Sequence, residues 1–392
     1  MTKSHPLSFL SLLFVGTICN AMVVSFMGFY IVEGLGRAPW SISIYTGVFA
    51  GAVILSNRAF ARRMDQGGNP FPMIGIAVSG SLVAALALSL SPGFLTVSTI
   101  GVIGFGVGSS AMSTMFSLGG VVAARNGIER STFNAYMRAA TSTSWMIGPA
   151  LSFTVADQLG AEVVFRFALA IAVLWLGLWW WTAPRDAAVE PKTLAEPELR
   201  AARNPELWTA ILFVFCLALA HSLTFSALPI FFVQEVGLPG YAPGVAFSLK
   251  TFIELFAIFS TPFLIARFGL RAALIGTAQL AVVAILVLAT TGSFAHMLVG
   301  AALEGFYFGL FSTLAISYVQ SLSEDRPAYA TAMYWNTMMV TLVVAGPAAG
   351  LIAQVFDFQT VIFTGSAFAV ASAVLLGSAT FQRAKRLKRG GA

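Results

Sequence analysis

Twelve apolar stretches, divided by short breaks that carry charge, glycine or proline, dominate the sequence. They lie near 8–32, 40–60, 71–91, 94–119, 132–156 and 162–182, then near 208–233, 243–265, 272–291, 294–320, 329–355 and 360–381. A bilayer core about 30 Å thick requires roughly 20 apolar residues per helix, so each stretch is long enough to cross it. The first is too long for the apolar region of a signal peptide and has no clear cleavage site, so it is expected to stay as a helix. Composition agrees: 58% of residues are apolar and 10% charged, with a mean hydropathy of +0.84. Soluble domains carry about 25% charged residues, which excludes a soluble multidomain enzyme, and disorder would need low hydrophobicity with high charge. The chain is expected to be an all-α polytopic membrane protein.

The formal charge of +6 and pI near 9.5 would suit a nucleic-acid binder only if the basic residues clustered with aromatics on a solvated face. Instead they sit in short runs between apolar stretches. With both termini placed in the cytoplasm, 18 of the 22 Lys and Arg residues fall on that side, which the positive-inside rule favours. No nucleic-acid partner is expected; the lipid bilayer is. Cys19 and Cys216 lie inside apolar stretches and read as small buried hydrophobes rather than as a disulfide or metal framework.

Residues 183–207 form the longest hydrophilic stretch, with Pro184, Pro191, Pro197 and Pro205. They divide the chain into an expected bundle at 1–182, a cytoplasmic linker at 183–207, a second bundle at 208–382 and a basic tail at 383–392. The halves resemble each other at an offset near 200. Tyr136-Met137-Arg138 precedes Gly148-Pro149 as Tyr334-Trp335-Asn336 precedes Gly346-Pro347, with the same spacing of ten residues from Arg138 or Asn336 to the glycine. Glu33 likewise matches Glu235, and Ala61-Arg62 matches Ala266-Arg267. Two pseudo-symmetric six-helix bundles in parallel repeat resemble the major facilitator superfamily, in which substrate is held at mid-membrane depth.

The segment Ala61-Arg62-Arg63-Met64-Asp65-Gln66-Gly67-Gly68 resembles that superfamily's loop motif, with Asp65 and Gly68 in place. The basic residues that usually follow are replaced by Asn69, Pro70 and Phe71, and the second copy, 266–271, has no Asp. The resemblance makes this loop, with Arg62, a gating element whose lock is weakened here. More narrowly, Met137-Arg138-Ala139 through Trp145-Met146-Ile147-Gly148-Pro149 resembles the sugar efflux transporters, echoed by Gly237-Leu238-Pro239, Ile253-Glu254 and Asn336. That family implies efflux of sugars at the bacterial inner membrane. By superfamily analogy the first, fourth, seventh and tenth helices line the cavity.

Ionisable residues inside a span are costly and are functional candidates by default. Glu254 and Glu304 lie near mid-depth, roughly 17 and 15 Å into their helices at 1.5 Å per residue; Lys250 and Arg138 are shallower. A carboxyl poorly solvated in a low-dielectric site can exchange a proton near neutral pH. Glu304 is therefore a candidate proton carrier or sugar-hydroxyl acceptor, against the plainer reading of a helix contact to Tyr307. Lys250 stands four residues before Glu254, so the two can neutralise each other or form a switchable pair. Arg138 could hold a sugar, hold a carboxylate, or reach the interface. Its repeat counterpart Asn336 is equally deep, which suits a ligand cavity. His221 and its near counterpart Asn20 can each donate and accept hydrogen bonds, matching sugar hydroxyls, although either could equally be a satisfied helix contact.

Gly104-Phe105-Gly106-Val107-Gly108 looks like a nucleotide loop, but no strand precedes it, so close helix packing is the better reading. Gly148-Pro149 and Gly346-Pro347 are expected to bend their helices, since proline removes a backbone donor. A proton-coupled sugar exporter, working as a monomer and without cofactor or metal, is the leading expectation. A multidrug or other small-molecule exporter, or a nutrient importer, is the alternative. An enzyme is not expected: the sequence has no phosphate-loop lysine motif, no zinc-protease motif and only three widely separated histidines.

Overall fold

A computed structural model describes residues 5–186, 205–322 and 327–390, excepting the side chains of residues 65, 130–131, 327–329, 331–332 and 378–390. The first six helices are α1 (Pro6–Gly34), α2 (Trp40–Asp65), α3 (Pro70–Leu90), α4 (Phe94–Arg125), α5 (Arg130–Leu159) and α6 (Val163–Thr182). The second six are α7 (Pro205–Glu235), α8 (Ala242–Phe268), α9 (Leu270–Ala289), α10 (Phe294–Ser321), α11 (Pro327–Val355) and α12 (Phe358–Gly390). Most of the expected 183–207 linker and the side chains of the basic tail lie outside the described residues, but the tail's backbone continues α12 as helix to Gly390.

Among the described residues eleven helices are long and apolar enough to cross a membrane, and the protein is a multi-pass membrane protein. The twelfth, α5, is 30 residues long but polar, with Arg138 and the run Thr141-Ser142-Thr143-Ser144 in its first half. Local chemistry sets the ends. Asn69 accepts from Phe71 N at 2.9 Å ahead of Pro70, which needs no N–H partner at the start of α3. Ser293 accepts from His296 N at 3.2 Å to open α10. Gly269, at φ 81°, is the only residue between α8 and α9, and its left-handed backbone lets the chain reverse there.

The chain divides into two compact units, Met1–Leu194 with Pro239–Ser248, and Ala195–Leu238 with Leu249–Ala392. In the first, α1 packs on α5, α6 and α4, while α3 packs on α4 and α6. The second repeats this scheme six helices later: α7 packs on α11, α12 and α10, and α9 on α10 and α12. Both α1 and α7 end in a five-residue π-helical turn, Tyr30–Gly34 and Phe231–Glu235.

Small residues let these helices approach closely, the main route to tight packing where lipid removes the hydrophobic drive between helices. A methyl on Gly148 would stand 2.8 Å from Ala21 Cβ, so α5 and α1 meet there almost backbone to backbone. The 104–108 run is a packing device of the same kind. Gly104 lies against Gly80, Gly106 against Ala52, and Gly108 against Ser81, so alternate glycines seat α4 on α3 and α2. Aromatic side chains fill the rest of this core, with Tyr30 edge-on to Phe165 at 4.8 Å and Phe26 edge-on to Phe153 at 5.5 Å. The α12 N-terminus is held by two carboxylates. Glu235 accepts from Phe358 N at 2.7 Å and Gln359 N at 3.0 Å, and Asp357 accepts from Thr360 N at 2.6 Å.

Candidate transport site

The charges within the spans of the second unit gather at one place. Glu304 on α10 is 1% exposed, and its Oε1 lies 3.0 Å from Nδ1 of His221 on α7. At this distance the pair is in ion-pair range, but the angles are not those of a hydrogen bond, and both atoms lack another partner. A small ring rotation or a proton between them would satisfy both. Tyr307, the other partner considered for Glu304, is fully buried with its hydroxyl unpartnered among the described residues. The helix contact that Glu304 makes is therefore to a histidine on another helix.

Lys250 Nζ donates to Glu254 Oε2 at 3.0 Å, four residues along α8. The two pairs share a wall, Phe308. The His221 ring stacks on it at 3.8 Å and 22°, and Lys250 Nζ sits 4.2 Å from the ring centre. A cation over an aromatic face is worth about 0.5–2 kcal/mol, more as water is excluded. Two glycines create this proximity. Gly305 presses on the backbone of Lys250, and a methyl on Gly309 would stand 2.5 Å from the Glu254 carbonyl oxygen. They leave no room for a side chain where α10 crosses α8. Phe308, Gly305 and Gly309 were not among the candidate residues; the spacing of the two glycines, four apart and bracketing Phe308, was the available signal.

Between the corresponding helices of the first unit the facing groups are neutral. Asn20 Oδ1 on α1 accepts from Ser109 Oγ on α4 at 3.4 Å, and Asn20 Nδ2 donates to Gly16 O at 3.1 Å. The corresponding pair of helices thus joins Asn with Ser in one unit and His with Glu in the other.

The other candidates are dispersed. Arg138 is exposed on α5, and its guanidinium has no carboxylate partner among the described residues. It stands in a polar stripe with Asn134, Thr141 and Trp145, at the spacing of one helix face. Asn336 is exposed on α11 and borders an open groove with Trp208, Leu212, Phe215, Met333 and Thr337. The Asp65 side chain lies outside the described residues. Gly68 N donates to Arg63 O at 2.8 Å, and the preceding Gly67, at φ 80°, makes the turn; Arg62 is exposed. Pro149 and Pro347 lie inside continuous helices, with Gly148 and Gly346 buried beside them. Cys19 and Cys216 are free and buried. Among the described residues no three His, Cys, Asp or Glu side chains gather as a metal site.

A helical bundle repeat with apolar spans and charges buried at mid-span fits a membrane transporter, and residues 111–264 match the Major Facilitator Superfamily. Along that segment the chain is similar to transporters of that superfamily. It is 26% identical to "Sugar efflux transporter B" of Salmonella typhimurium, over 93% of this chain and 93% of that protein. It is also 26% identical to "Sugar efflux transporter A" of Dickeya chrysanthemi, over 95% of this chain and 93% of that protein. Among solved structures, the nucleoside transporter NupG superposes with a TM-score of 0.80 at 14% identity, covering 95% of this chain and 99% of that one. A bacterial homologue of the iron transporter ferroportin superposes with a TM-score of 0.72 at 16% identity, covering 95% of this chain and 97% of that one. These structures share the fold.

Proposed function

We propose that the protein exports sugars, as mono- or disaccharides or glycosides, in exchange for protons by alternating access. It would do so as a monomer in a bacterial inner membrane, with both termini in the cytoplasm and the proton as its sole coupling partner. The observation that carries this reading is the similarity to sugar efflux transporters along at least 93% of the chain.

The buried pairs supply a proton site. Lys250 and Glu254 compensate each other, so the changeable charge falls on His221 and Glu304. Unloaded, with a neutral imidazole and a carboxylate, that pair carries one negative charge. Loaded with one proton, it is neutral, and both facing atoms gain a hydrogen-bond partner. A net charge held in a low-dielectric span is costly, so loading and unloading can bias which state of the transporter is stable. Glu254 is the second coupling candidate if sugar or a proton displaces Lys250. Arg138 and Asn336, with Asn20, His221 and Glu304, are the proposed sugar contacts. Asp65, Gly68 and Arg62, together with the pairs Gly148-Pro149 and Gly346-Pro347, are the proposed gating elements.

Everted vesicles with an imposed inside-acid gradient test the reading. Accumulation of a labelled mono- or disaccharide is the expected result. No uptake across a sugar panel, with uptake of a lipophilic cation instead, would overturn it.

A further inference from the structure

The neutral counterpart of the His221–Glu304 pair is part of a longer polar track within the first unit. On α4, Ser109 and Ser113 are one helical turn apart on the same face. Ser109 faces the Asn20 amide from α1, and Ser113 donates to Asn57 Oδ1 on α2 at 2.8 Å. Behind them Ser56 and Ser110 join α2 to α4 through a 2.5 Å hydroxyl contact. Ser113 is exposed, and Ser109 and Asn57 are half-buried, so the track is open on one side.

The hydrogen-bond arithmetic leaves capacity for a ligand. A serine hydroxyl has one hydrogen. Ser109 has two acceptors in reach, Asn20 Oδ1 at 3.4 Å and Phe105 O at 2.9 Å. Ser113 likewise has Asn57 Oδ1 at 2.8 Å and Ser110 O at 3.0 Å. Each serine can turn back onto its own helix and free an amide oxygen to accept from an incoming hydroxyl. Asn57 Nδ2 has no partner among the described residues, so two donors stand beside that acceptor. No charged residue occurs in α1 from Pro6 to Val32, in α2 from Trp40 to Asn57, or in α4 from Phe94 to Ala124. Apart from Arg58, which follows Asn57 directly and is exposed, the track consists of neutral paired donors and acceptors, which suit a polyhydroxy ligand.

We propose that Asn57, Ser113, Ser109 and Asn20 form a binding site for sugar hydroxyls within the first unit. The proposal rests on the sugar-export reading and adds Asn57, Ser109 and Ser113 to the residues that contact cargo.

The test measures binding of glucose and lactose, and of their monodeoxy derivatives, to the purified full chain and to Asn57→Ala, Asn57→Ser, Ser113→Ala and Ser109→Ala. A hydrogen bond contributes about 0.5–1.5 kcal/mol net, so loss of one should weaken binding about 2- to 12-fold. Asn57→Ala and Ser113→Ala are expected to lose that much, with Asn57→Ser between them and the parent. At least one monodeoxy sugar should bind the parent more weakly than the full sugar yet bind Asn57→Ala as well as the full sugar does. Leu55→Ala, at an exposed aliphatic position two residues from Asn57, should bind like the parent. Parent-like affinity in the folded Asn57 and Ser113 variants, or equal deoxy penalties in variant and parent, would overturn the site alone. Binding of neither sugar by the parent would overturn the sugar reading itself.

Discussion

Gly309→Ala tests the helix crossing on which the charged cluster depends. The added methyl would lie 2.5 Å from the Glu254 carbonyl oxygen and 2.8 Å from Ala257 Cβ. Dispersion contacts are best at roughly 3.5–4.0 Å, so α10 and α8 must separate by about 1 Å. Overpacking of this kind costs about 1–3 kcal/mol, against which alanine returns up to about 1 kcal/mol of helix propensity. The net loss, up to about 2 kcal/mol, corresponds to a fall of up to about 8 °C in melting temperature for a unit of this size. Because both ion pairs lie within α8 or between α7 and α10, they should survive. The contact from Lys250 to Phe308, 4.2 Å across the crossing, should weaken. The assay is thermal unfolding of purified protein in detergent beside Gly276→Ala on α9, where a new methyl meets nothing within 4 Å and should be neutral or stabilising. If Gly309→Ala melts at or above the temperature of Gly276→Ala, the close crossing is wrong.

Glu304→Gln keeps the shape of a side chain that is 1% exposed but removes its proton chemistry. It should abolish gradient-driven sugar accumulation in everted vesicles while leaving counterflow exchange; persistence of accumulation would move coupling to Glu254. Glu235→Ala removes the acceptor for Phe358 N and Gln359 N, so it should lower stability by about 0.5–2 kcal/mol, read as a melting shift that Glu235→Gln should partly restore. The Asp186 carboxyl is held below the usual carboxylate range, first by the hydrogen bond from Arg125, which it accepts at 2.9 Å. Its contribution is present above that range and lost only as pH falls through the depressed value. Asp186→Asn should therefore leave the shape of the transport pH profile between about pH 5 and 8 unchanged, and a shifted profile would refute that assignment.

Most of the helices were legible because each is a largely apolar run bounded by charge, glycine or proline, and lipid demands such runs whatever their neighbours. Ends were less so: α4 and α7 extend several residues beyond their apolar stretches. There Arg125 and Glu206 are tolerated because the last turn of a span reaches the polar boundary. The conspicuous residues of the site, His221, Lys250, Glu254 and Glu304, stand out because an ionisable group in a span is costly and rare. Asn57, Ser109 and Ser113 do not, since a membrane-helix serine can satisfy itself on its own backbone, as Ser109 does on Phe105 O.

By itself the sequence determined the succession of membrane helices, the repeat of one half in the other, and the short set of residues able to carry charge through a membrane. Periodicity and solvation act along the chain and leave their record in composition. Which of those residues meet was decided only by the tertiary structure. Lys250 finds Glu254 through helical spacing alone, but His221 and Glu304, 83 positions apart, meet because α7 packs on α10. Phe308 lies between the two pairs because Gly305 and Gly309 let α10 press against α8. A side chain's partner is a property of the crossing of two helices, and no local pattern on either helix specifies it.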